Sequence, residues 1–140
     1  MIPEIVTQLP ALLPPSSICK TPTTILLSVG GGGLLAGVLT GLVSYNLKDT
    51  GVITVETAGA DCFAESLRLN GRQGWKMGDK VQVVEMEAIT SRAGSLGAKS
   101  PAKGAVLKAL QWEKTVHRGL LTLVISDEAA IWSSFCFLGE

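Results

Sequence analysis

Ser28-Val29-Gly30-Gly31-Gly32-Gly33-Leu34 sets four consecutive glycines between an apolar stretch at 24–27 and a second apolar run at 34–45. Ordering such a run is costly, because glycine loses more backbone freedom on folding than any other residue. A strand-to-helix turn needs only one or two glycines. Gly30, Gly31, Gly32 and Gly33 together suit a loop whose backbone N–H groups come close to a phosphate. The helix after the loop adds its free N–H groups and the positive end of its dipole. A tight turn with nothing bound is the plainer reading of the same residues.

Other residues with chemistry are sparse. Glu56 closes an apolar, β-branched run at 52–55, and its plain reading is an acid at a strand end. Lys99 and Lys103 flank Ser100-Pro101 and read as solvated lysines at a helix start. Cys62 has no histidine or other base beside it and reads as a small packed residue. His117 is the sole histidine and has no partner motif, so it reads as a surface residue. Trp75, Trp112 and Trp132 form no stacking pattern and read as packing or surface residues. Cys19, Cys62 and Cys136 lack metal-ligand spacing; their odd number and scatter suit a reducing, cytoplasmic setting. Gly31-x-Gly33-x-x-Ala36 also fits a dinucleotide fingerprint, with Glu56 near the place of a ribose-binding acid. A Rossmann-like NAD(P)-binding enzyme is therefore an alternative.

The elements that must position these residues alternate. Ile2, Ile5, Val6, Leu9 and Leu13 recur at helical spacing, and Pro10, Pro14 and Pro15 limit that helix. Residues 24–29 read as a buried strand and 34–46 as a helix, in which Gly37 and Gly41 would allow close packing on the sheet. A second strand is expected at 52–56, and Asp61 is placed to cap a short helix through Leu69. Residues 70–77 read as a loop and 80–86 as strand-like. Ser100 is the expected cap of a helix reaching about Leu110; 120–125 is a third strand, and Ser126 caps a final helix. Alternating strands and helices predict an α/β fold with a mostly parallel sheet and right-handed crossovers, in one domain over residues 1–140.

Charge and hydropathy narrow the partners. Twelve basic residues balance twelve acidic ones, so the electrostatic case for nucleic acid or an anionic membrane surface is missing. Hydrophobic residues make up 46% and charged residues 17%, which implies burial on two faces of a sheet or packing against something else. No charge falls between Lys20 and Lys48, long enough to span a bilayer, but the central glycines would leave backbone groups unsatisfied in lipid. Met1-Ile2-Pro3-Glu4 lacks the basic start of a secretory signal.

The glycine run, continued by Ala36-Gly37-Val38, resembles the tetraglycine loop of L-serine/L-threonine dehydratases. These are pyridoxal-phosphate (PLP) enzymes of the tryptophan-synthase-β-like fold, fold type II. Three more blocks agree in the same order: Val55-Glu56-Thr57-Ala58-Gly59-Ala60-Asp61-Cys62-Phe63, then Ile89-Thr90-Ser91 with Ser95-Leu96-Gly97-Ala98, then Val124-Ile125-Ser126-Asp127-Glu128-Ala129. They cover roughly residues 25–130, apart from an unmatched stretch near 70–86. The resemblance implies that Gly30, Gly31, Gly32 and Gly33 hold the PLP phosphate. It also implies a monovalent-cation (potassium) site formed by Glu56 and the backbone carbonyls of Gly30, Ala60, Leu96 and Ala98. The implied reaction takes L-serine to pyruvate, or L-threonine to 2-oxobutyrate, with release of ammonia, in a homodimeric family. The family's Schiff-base lysine and ring-contacting asparagine precede the glycine loop, and the segment facing the pyridine nitrogen follows later; this sequence has no match to them. Lys99 and Lys103 do not fit the family's lysine context. The resemblance therefore implies an incomplete PLP-binding domain that retains the phosphate anchor, lacks the covalent machinery, and is inactive alone or completed by a partner. A non-catalytic binding or dimerisation module is the remaining alternative.

Overall fold

A computed structural model of the chain describes every residue except Cys19, Arg72, Gln73, Ser95, Leu96, His117, Gly139 and Glu140, and the side chains of residues 134–138. The elements run α1 (Ile2–Leu12), β1 (Thr24–Ser28), α2 (Gly33–Ser44), β2 (Gly51–Thr57), α3 (Cys62–Leu69), α4 (Lys103–Thr115), β3 (Leu120–Ile125) and α5 (Asp127–Leu138). The β-branched and leucine-rich runs become strands, as patterning demands. They form one parallel sheet in the order β1-β2-β3. Ile25 lies beside Val52, and Val52 beside Leu120. The architecture is α/β, a parallel sheet flanked by helices.

Both crossovers move in the same direction across the sheet. Right-handed connections then place their helices on one face. Ile25, Leu27, Val52 and Leu120 pack there against Leu35, Val38 and Leu42 of α2 and Val106, Ala109 and Leu110 of α4. Phe63 and Leu67 of α3 close the same core. Each fully buried leucine or phenylalanine contributes about 1.5–3 kcal/mol. Thr54 fits into this face because its hydroxyl lies 3.1 Å from that of Thr122 on the next strand.

The opposite face is bare. Leu26 is 66% exposed, Leu121 52% and Leu123 39%. Ile53 and Val55 between them are half-buried, and no charged residue stands on this face.

Several local expectations are corrected. Pro10 does not limit α1, which continues to Leu12. Proline in the last turn forfeits one hydrogen bond, and Leu13 N still donates to the Leu9 carbonyl at 3.2 Å. Gly41 serves α1 rather than the sheet: a Cβ there would sit 2.6 Å from Ile2 Cγ1, while Gly37 faces open space. Residues 80–86 form no strand. Side chains of the neighbouring helix satisfy them instead: Gln82 N donates to Asn70 Oδ1 (2.9 Å), Asn70 Nδ2 donates to the Gln82 carbonyl (2.7 Å), and Val84 N donates to Ser66 Oγ (2.9 Å). Ser100 caps nothing. α4 starts at Lys103 with Ala102 at the cap position, and Ala102 N donates to the Gly31 carbonyl at 2.9 Å. Ser126 does cap α5, its Oγ accepting from Ala129 N at 3.2 Å.

Candidate phosphate and cation site

The glycine loop joins the C-terminal end of β1 to α2. Gly32 is the N-cap of α2, at φ +84°, and no side chain caps the helix. A Cβ at Gly32 would meet Ala105 Cβ at 2.6 Å, so both the backbone angle and the space require glycine. Its neighbours are under no such demand. A Cβ at Gly31 would make an ordinary 3.9 Å contact with Ala98 Cβ, and a Cβ at Gly33 would meet nothing within 4 Å. The protein's own packing therefore leaves open space at Gly33, at an uncapped helix N-terminus. Bare backbone there fits a group that approaches from outside, and an anion is the group such a terminus favours.

Beside the loop lies a cavity of about 360 Å³. It opens between the C-terminal end of the bare sheet face (Ser28, Val55 and Ile125) and the first turns of α5 (Ala130 and Ile131). Glu56, Ala60 and Gly97 also line it. Its lining reaches Val29 and stops short of the four glycines. Of the residues expected to act together, Glu56 and Ala60 thus share this cavity, and Ala98 sits against Gly31. Leu96 lies outside the described residues.

Glu56 is only 4% exposed. Its Oε1 accepts from Phe63 N (3.0 Å) and its Oε2 from Ala64 N (2.7 Å). Glu56 therefore tethers the start of α3, the task the sequence suggested for Asp61. Asp61 instead turns back, its Oδ1 accepting from Gly59 N at 3.1 Å. Burial raises the Glu56 pKa most strongly and the two N–H bonds lower it; the neighbouring Asp61 and Glu65 charges raise it further, to about 7. Among the described residues no lysine or arginine pairs with it.

A hydroxyl–carboxylate chain that the sequence did not suggest crosses the same region. Thr57 and Ser91 hydroxyls are 2.7 Å apart, Ser91 Oγ donates to Asp127 Oδ1 (2.6 Å), and Arg92 N donates to Asp127 Oδ2 (2.9 Å). The Ser91 bond, then the Arg92 N–H, holds the Asp127 carboxyl below the usual range. The only sequence signal was that Ser91 and Asp127 fall in two of the matched blocks.

The remaining candidates stand away from the cavity or are inert. Lys99 Nζ donates to the Glu87 carbonyl (3.0 Å), Lys103 is exposed in the first turn of α4, and no lysine lines the cavity. Cys62 is fully buried, and burial, reinforced by the Glu56 charge, pushes its thiol up to about 11. Trp75 and Trp112 are buried and Trp132 is exposed; His117 lies outside the described residues. Among the described residues no three His, Cys, Asp or Glu side chains gather as a metal cluster. No helix described is long and apolar enough to cross a membrane.

A parallel sheet, a glycine loop at a helix N-terminus and a cavity at the carboxyl ends of the strands define an α/β architecture of the kind that places ligands at its strand ends. The family profile described as "Pyridoxal-phosphate dependent enzyme" matches residues 1–132, and the chain belongs to that family. Within the family it is similar to serine and threonine dehydratases. It is 28% identical over 127 residues to an L-serine dehydratase of Dictyostelium discoideum, covering 89% of this chain and 31% of that protein. It is 35% identical over 124 residues to a serine dehydratase-like protein of Rattus norvegicus, covering 89% of this chain and 32% of that one. A fungal L-serine ammonia-lyase from Rhizomucor miehei superposes with a TM-score of 0.70 at 29% identity, over 97% of this chain and 36% of the other. A T.th. threonine deaminase gives 0.60 at 27% identity, over 83% of this chain and 36% of that one. The chain thus spans about a third of the length of the relatives it matches. Family membership displaces the dinucleotide alternative.

Proposed function

We propose that this chain is the phosphate-holding part of a PLP-dependent ammonia-lyase for L-serine or L-threonine. The observation that carries the reading is the open space at Gly33 beside an uncapped helix N-terminus, where packing demands no glycine. N–H groups of Gly30, Gly31, Gly32 and Gly33 hold the phosphate, and the dipole of α2 favours its charge. When bound, PLP supplies the electron sink for loss of the α-proton and the β-hydroxyl, leading to pyruvate or 2-oxobutyrate and ammonia. Glu56, with the carbonyls of Gly30, Ala60, Leu96 and Ala98, holds a potassium ion in this reading. A carboxylate only 4% exposed, with no lysine or arginine paired to it among the described residues, supports a cation there, and oxygen donors suit a hard one.

No lysine lines the cavity, so the chain by itself anchors the cofactor without a covalent hold. It binds PLP weakly in a reducing, cytoplasmic setting, and makes no pyruvate alone. The bare sheet face supports a second reading, in which the chain works only when packed against another polypeptide. The deciding experiment titrates the 140-residue chain with PLP while following the amide resonances of the four glycines. Saturable shifts are expected, weakened by Gly33→Ala in a chain that remains folded. Equal PLP affinity for Gly33→Ala and the parent would sink the phosphate reading. Pyruvate made from L-serine by the pure chain, and lost on Lys99→Ala or Lys103→Ala, would overturn the claim of inactivity.

A further inference from the structure

We propose that Asp127 is a positioning residue for the glycine loop, acting through Ser91 on the loop whose described residues are 90–94, 97 and 98, where Gly97 N donates to the Gly94 carbonyl at 3.2 Å. Three segments meet at Ser91: the end of β2, this loop, and the start of α5. The carboxylate of Asp127 can only accept, so the Ser91 hydroxyl proton points to it across 2.6 Å. Thr57, 2.7 Å away, must then be the donor to Ser91 Oγ, which also accepts from Ala93 N at 3.0 Å. The proton order runs Thr57 to Ser91 to Asp127, and every donor and acceptor position of the Ser91 hydroxyl is filled. The second oxygen of Asp127 takes Arg92 N.

The far end of the same loop meets the candidate site. A Cβ on Gly97 would come within 3.0 Å of Ala60 Cβ, so Gly97 is pressed against that turn. Ala98 packs against Gly31, and Ala102 N donates to the Gly31 carbonyl. The loop's other tie to the β2–α3 turn is a neutral bond, Thr90 N to the Gly59 carbonyl at 3.0 Å. Among the hydrogen bonds described, the Asp127 pair is the charge-assisted anchor of its near end, and such bonds are roughly twice as strong as neutral ones. α5 and the glycine loop are thereby coupled, although neither touches the other through a described hydrogen bond.

Amide hydrogen exchange on the full 140-residue chain tests this with Asp127→Asn and Ser91→Ala. Exchange about 10-fold faster is expected at Gly97 and Ala102 as well as at Arg92 and Ala93, the factor that loss of one charged hydrogen bond gives. Val52 and Val106, in the core, should keep their protection. A purely local role at the start of α5 would move Arg92, Ala93 and Ala129 alone, and that outcome overturns the proposal. Should Asp127→Asn unfold the chain, Ser91→Ala decides, since it leaves the α5 cap in place. The exchange result holds whether or not the parent binds PLP. With PLP as probe, a matching loss of affinity in Asp127→Asn would extend the coupling to the phosphate reading on which that arm rests. Undiminished affinity alongside faster exchange at Ala102 would confine it to the loop.

Discussion

Gly32 and Gly33 are neighbours of one type, yet they answer to different demands. Gly32→Ala forces a left-handed backbone onto alanine and a methyl into Ala105, at a cost of about 3 kcal/mol in urea denaturation. Gly33→Ala, the first helical residue with open space beyond it, should be neutral or stabilising by about 0.5–1 kcal/mol. Glu56 gives a pH signature. Its folded pKa, about 7, exceeds the ordinary glutamate value of 4.5, so the folded chain binds the proton more tightly. The stability this confers is complete below the unfolded value and is lost as pH rises through about 7. The urea midpoint should therefore fall between pH 4.5 and 7, and Glu56→Gln should flatten that slope. A midpoint that rises over the same range would contradict the assignment. The strand, glycine loop and helix were legible in sequence, because a glycine run between two apolar stretches is a local signal. The capping role of Glu56 was not, because its partners are backbone amides of Phe63 and Ala64, which no residue type announces.

Among the elements, the three strands and the last helix were readable, since apolar runs and a Ser-Asp-Glu start are local signals. Segment 80–86 misled because its alternation is real but its partners are Ser66 on α3 and Asn70 just past its end, rather than a second strand. The Asn70 side chain makes three hydrogen bonds, to the Ser66 carbonyl and to both backbone groups of Gln82. Asn70→Ala should cost about 1–3 kcal/mol and deprotect Gln82 in hydrogen exchange, leaving the sheet amides intact. The α4 start was misplaced for a similar reason. Ser100-Pro101 looks like a cap, but the approach to α4 is fixed by a distant carbonyl, that of Gly31.

At the scale of the molecule, the high apolar content of the sequence resolves into one packed face and one bare face. Leu26, Leu121 and Leu123 form a charge-free apolar surface of the kind that soluble monomers rarely leave open. The chain should bind a hydrophobic dye and self-associate in light scattering. Leu26→Glu and Leu121→Lys should each reduce both signals while shifting stability by no more than about 0.5 kcal/mol, as exposed positions do. A dye-silent, monodisperse parent chain would show that this face is content with water.

The path of α5 carries one more consequence. It leaves β3 toward the side that α2 and α4 do not occupy, with Ala130 and Ile131 facing Val55 across the cavity. A right-handed return from that side reverses the direction of travel across the sheet. β2 already has a neighbour on each edge, so a strand arriving from α5, on this chain or another, would pair with the outer edge of β1. Strand order would then turn about β1, and open α/β sheets bind their ligands in the crevice at such a turning point, outside the carboxyl ends of the strands. That crevice would open where Ser28 gives way to the four glycines.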